Sequence, residues 1–141
     1  MVMNLKINKG KIKEIAQKYN LEMVLFFGSQ VNGRTKPDSD IDIAYSAQKL
    51  LSTDEKIGLN NELCDLFHKD IVDQVDIRNA NPLLLHEIST NSQLLFGKEI
   101  DYIKFRTRAF RVFIDSESLF KLKESLIKKR QKFLSEMIYA K

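Results

Sequence analysis

A chain of 141 residues suits one domain, and 43% apolar residues suffice for a single packed core rather than a disordered segment. A single cysteine, Cys64, excludes an internal disulfide and a cysteine-based zinc site. No apolar run approaches the roughly 18–20 residues that cross a bilayer, and the first residues lack a signal-peptide core. A cytoplasmic protein is expected. The net charge of +4 is unevenly spread: residues 104–141 carry eleven Lys or Arg against four acids. Such a basic tail could attract nucleic acid, an acidic protein or a nucleotide phosphate, or form a solvated helix face.

In chain order, Lys9 to Tyr19 has helical composition, with Ile12, Ile15 and Ala16 on one face. Met23 to Phe27 is a continuous apolar run and reads as a buried strand. Gly28-Ser29 breaks it and is expected to open a helical turn, and turn chemistry follows at Asn32-Gly33 and Lys36-Pro37-Asp38-Ser39. Ile41 to Tyr45 is a second strand. Ser52 with Glu55 three residues on forms a capping box. Its helix should reach about Phe67 and bury Ile57, Leu63, Cys64 and Phe67. Asp70 to Ile77 is a third strand. Asn81-Pro82 starts a helix through Ile88, since proline suits a first turn. Gln93 to Phe96 reads as a short strand stopped by Gly97. A helix capped by Asp101 should reach about Phe113, with an interruption at Ile114-Asp115-Ser116 and a last helix from Ser118 towards Tyr139. That last segment places Leu119, Leu122, Leu126, Phe133 and Met137 on one wide stripe, which covers either a partner or the chain's own sheet. The expected organisation is a catalytic domain over 1–103 and a helical extension for docking or packing over 104–141.

The chemistry centres on Gly28-Ser29, ten residues, then Asp40-Ile41-Asp42. On a strand, side chains at i and i+2 share a face, so Asp40 and Asp42 stand together while Ile41 and Ile43 face the core. Adjacent carboxylates resist joint ionisation unless a cation bridges them. Mg²⁺ suits that role, because it takes one or two carboxylates plus substrate phosphate oxygens. Gly28 lets backbone approach a triphosphate, and Ser29 and the turn's N–H groups can hold the phosphates. Each half is common alone; both, at this spacing and each on an apolar strand, point to nucleotidyl transfer.

Phe27-Gly28-Ser29-Gln30-Val31-Asn32-Gly33 followed by Ser39-Asp40-Ile41-Asp42-Ile43 resembles the signature of the polymerase-β-like nucleotidyltransferases, and within them the minimal nucleotidyltransferases (MNT). Val75-Asp76-Ile77, Asn81-Pro82-Leu83-Leu84 and Glu87-Ile88 resemble the third strand and next helix of that group. The resemblance covers about residues 10–100. It implies an α+β fold with a small mixed sheet flanked by helices, ATP as substrate, two Mg²⁺ held by Asp40 and Asp42, and a third carboxylate on the neighbouring strand. Asp70, Asp73 and Asp76 compete for that third place. Asp73 and Asp76 have opposite strand parity, so only one can face the site; the family's pattern favours Asp73, with Asp76 the alternative. Many relatives carry arginine after the Gly-Ser pair where this chain has Gln30, and Arg34 or Lys36 could supply the lost phosphate contact.

Some minimal nucleotidyltransferases are antitoxins that transfer AMP to a tyrosine of a HEPN-domain ribonuclease toxin. The small size and helical extension resemble that subgroup, which implies a HEPN toxin partner and no direct contact with nucleic acid or membrane. Two other readings stay open: transfer to a small molecule or an RNA end, and an antitoxin that works by stoichiometric binding. His68, His86 and Cys64 read as structural, while Tyr45 and Tyr102 could stack on a nucleobase.

Overall fold

The computed structural model describes residues 8–28 and 41–139. Helix α1 (Lys9–Lys18) leads into strand β1 (Leu21–Phe27). Strand β2 (Ile41–Ala47), helix α2 (Thr53–Phe67) and strand β3 (Val72–Asp76) follow. A 3-10 turn (Ile77–Asn79), helix α3 (Pro82–Thr90), strand β4 (Ser92–Phe96) and helix α4 (Glu99–Tyr139) complete the chain.

The sheet runs β3-β2-β1-β4. β1 is antiparallel to both β2 and β4, whereas β2 and β3 are parallel. The parallel step needs a crossover, which α2 supplies. Strand alternation splits the core into two clusters. Ile41, Ile43 and Tyr45 of β2 join Val24 and Phe26 of β1 under α1 and α2. Ala44 joins Leu25 and Phe27 on the other side, closed by Ile88 of α3 and by Phe105 and Ala109 of α4. Both faces of β1 are therefore covered, which is why its sequence reads as an unbroken apolar run rather than an alternation.

The helix ends follow their local chemistry. Asn8 caps α1 by accepting from the Lys11 N–H at 3.2 Å. The capping box at α2 is formed: the Glu55 N–H donates to Ser52 Oγ at 3.2 Å, and the Ser52 N–H donates to Glu55 Oε1 at 3.1 Å. Asn81 caps α3 ahead of Pro82. Gly97, at φ +124°, ends β4 with its Cα too close to the Glu22 carbonyl to admit a side chain.

Three expectations are corrected. Helix α4 begins at Glu99, so Asp101 lies inside its first turn instead of capping it. Helix α4 runs unbroken through residues 114–116, because it contains no glycine or proline and Asp115 is exposed, so its carboxylate need not compete with the helix backbone. Ile57 is exposed rather than buried; the inward turns of α2 are Leu59, Leu63 and Phe67, and Cys64 is only partly covered.

Candidate active site

The site is built where β1 ends. Seven strand residues, six of them buried, fix the approach to Gly28. Gly28 is itself buried, has φ +94°, and donates its N–H to the Asn91 carbonyl at 3.3 Å. A Cβ at this position would collide with Oδ2 of Asp42. The glycine is therefore required twice, for its backbone angle and for the close seat of the carboxylate.

Asp42 lies opposite Phe27 in the antiparallel pair and opposite Asp73 in the parallel pair. The neighbours Ala44 and Val75 join the α3/α4 cluster, so Asp42 and Asp73 share that face. Asp42 is half-buried and Asp73 exposed. Asp76 is registered with Tyr45 and belongs to the opposite face. There its carboxylate accepts from the Arg78 N–H at 2.9 Å. Burial, and then the charge of Asp76, push the Tyr45 phenol up to about 12. Asp70 precedes the strand, and its carbonyl accepts from Cys64 Sγ at 3.7 Å. The parallel register thus brings Asp73 to Asp42 and separates Asp76 from it. Ser29 and Asp40 lie outside the described residues, as do Gln30, Arg34 and Lys36.

Adjacent oxygen donors against a glycine backbone match the preference of Mg²⁺ for hard ligands. Among the described residues no third His, Cys, Asp or Glu completes a metal cluster with them. Asp40, the other carboxylate expected to hold the ion, is outside that set. Asp42 and Asp73 are the described residues that could hold the ion.

Asn91, Ser92 and Arg106 carried no sequence signal, and Tyr102 reads from sequence only as a ring that could stack on a base. Asn91, at the end of α3, anchors the Gly28 turn from sixty-three positions away. Beside it, Ser92 Oγ and the Tyr102 hydroxyl are 2.7 Å apart, and that hydroxyl also donates to the Ser92 carbonyl at 3.0 Å. Arg106 lies over the Tyr102 ring and donates Nε–H to the Ser89 carbonyl at 3.0 Å. Tyr102 is thus tied into the wall of the site. Tyr45 is 2% exposed and cannot stack on a base. His68 ends α2 in the left-handed region, and His86 stacks on Phe113 at 3.8 Å; neither forms part of a metal cluster among the described residues.

The polymerase β nucleotidyltransferase family matches residues 10–101. A curated relative is the protein adenylyltransferase MntA of Shewanella oneidensis, 28% identical over 109 residues, covering 76% of this chain and 78% of the relative. A solved toxin–antitoxin structure with AMP-PNP contains a chain 26% identical, with TM-score 0.63, covering 93% of this chain and 98% of that one. A tri-AMPylated Shewanella oneidensis HEPN toxin in complex with MNT antitoxin has TM-score 0.59 at 24% identity, covering 94% and 98%, a likeness of fold. With the family matched across most of its length and the glycine turn seated on a strand carboxylate, the chain is a nucleotidyltransferase and belongs to the polymerase β family.

Proposed function

We propose that this chain transfers AMP from ATP to a tyrosine hydroxyl of a HEPN ribonuclease toxin and thereby neutralises it. The observation that carries the reading is the register of Asp42 with Asp73 beside the Gly28 turn. The resemblance to an adenylyltransferase and to a toxin–antitoxin chain with AMP-PNP supports the donor and the acceptor class.

In this reading Gly28 and Ser29 hold the triphosphate, and Asp40, Asp42 and Asp73 hold two Mg²⁺. Bound Mg²⁺ supplies charge neutralisation along the phosphates and at the attacking and leaving oxygens. Asp73, the more exposed of the two described carboxylates, also accepts the proton of the incoming phenol. A neutral tyrosine, with an ordinary pKa of about 10, needs such activation near pH 7. The phenol oxygen attacks the α-phosphorus, the bond to the bridging oxygen of the β-phosphate breaks, and pyrophosphate leaves. The added AMP places negative charge and bulk where a ribonuclease must receive RNA phosphate.

The test is the intact mass of the HEPN protein after co-expression with this chain or with its Asp42→Asn variant. One or more added AMP units, present with the wild type and absent with the variant, are expected. An unmodified partner in a tight inactive complex would instead mean neutralisation by contact.

A further inference from the structure

Among the described residues, the second half of α4 extends the helix beyond the parts of the fold it packs on. Phe105 and Ala109 are buried and Phe113 meets His86, but every described side chain from Glu117 to Ile138 is exposed. Nine of these are large apolar residues, each 47–68% exposed. At 3.6 residues per turn they fill an arc of about 160°, from Leu122 to Ile138, and this arc continues the face that Phe105 and Ala109 turn to the sheet. The segment is about 33 Å long at 1.5 Å per residue.

The centre of the arc is not apolar. Lys123 and Arg130, seven positions apart, project there, about 10 Å from each other along the helix. Among the described residues neither makes an ion pair. The pairs on this segment, Lys121 with Glu117 at 3.6 Å and Lys128 with Glu124 at 3.7 Å, lie on the far side. Covering the arc therefore buries two cations, which is tolerable only where the covering surface supplies carboxylates for them. A second copy of this helix laid antiparallel would set Lys123 against Arg130 and bury four like charges. A membrane surface would receive the cations at the deepest point of the apolar face instead of at its polar edge. Both occupants are disfavoured by the same two residues.

We infer that Leu119–Ile138 docks into an apolar groove of a partner protein that carries two carboxylates about 10 Å apart, paired with Lys123 and Arg130. The inference rests on the reading of a protein acceptor and names the chemistry by which that acceptor is held. The docked helix sets substrate affinity, while the carboxylate site sets the chemical step.

The full chain and its Lys123→Glu/Arg130→Glu variant would be compared for AMP transfer to the HEPN protein over a range of partner concentrations, with binding followed by calorimetry. The substituted side chains are exposed, so circular dichroism should be unchanged. The expected result is a rise in KM and Kd of about 30-fold or more with kcat within about threefold. Unchanged KM and Kd would overturn the docking inference while leaving AMP transfer intact. Loss of binding in the variant, with no transfer by the wild type, would support docking and sink the adenylyltransferase reading. A wild-type dimer by light scattering that the variant dissolves, or binding to vesicles with 30% anionic lipid that the variant abolishes, would overturn the inference in favour of a second copy or a lipid surface.

Discussion

Gly28 joins two constraints at one Cα: a left-handed backbone and a carboxylate seated on it. Gly28→Ala should cost about 1–2 kcal/mol of stability, because alanine is strained at that φ. It should also lower kcat/KM for AMP transfer about 100-fold by displacing Asp42. Urea denaturation and transfer kinetics would check both; near-normal kinetics would show that Asp42 need not sit there. Elsewhere the residue-level environment predicts a pH response. Tyr45 is pushed up to about 12 by burial and then by Asp76, and Tyr19 to about 12 by burial and then by Glu62 and Glu55. Folding thus favours the neutral phenols, so their contribution is complete below pH 10 and lost as the pH climbs from 10 through 12. Unfolding midpoints measured across that window should fall less steeply in Tyr45→Phe than in the wild type; equal slopes would place the alkaline loss in other groups.

At the scale of elements, two helix starts and the strands were legible because their causes are local: Ser52 with Glu55, and Asn81-Pro82, each act within one helical turn, whereas the Asn8 cap of α1 was not read from the sequence. The continuity of α4 was not legible. Asp115 and Ser116 read as helix breakers by composition, yet an exposed carboxylate costs a helix little when no glycine or proline accompanies it. Ile57 was placed inside by its type, whereas the buried stripe of α2 passes through Leu59. The carboxylate that lies opposite Asp42 was half legible. Strand parity separated Asp73 from Asp76, but which of them meets Asp42 depends on the register of β3 on β2, a long-range pairing with no local signature. The Gly28–Asn91 bond was invisible for the same reason. Since the described residues of the second half of α4 add no buried side chain, deleting residues 119–141 should leave the thermal midpoint within a few degrees of the wild type. A fall of about 10 °C or more by circular dichroism would mean that the segment supports the core.

At the scale of the molecule, the two sheet faces divide the work. Under α1 and α2 lies a core of β-branched, aromatic and leucine side chains, with Asp76 serving the following turn. On the other face α3 and α4 close the core beside the Gly28 turn, and Asp42 and Asp73 stand side by side at the strand ends. Gly28 and Asp42 lie close in sequence, and Asp73 enters only through the parallel crossover carried by α2. This division makes two chemically identical substitutions on one strand behave differently. The most direct test is the rate of AMP transfer to the HEPN protein by Asp73→Asn and Asp76→Asn, each first shown to unfold like the wild type. Asparagine still caps a helix, so Asp76→Asn should keep its fold and transfer within about threefold of the wild-type rate, whereas Asp73→Asn should lose about 1,000-fold or more. Equal losses, or the reverse order, would contradict the placement of the active site on the α3/α4 face.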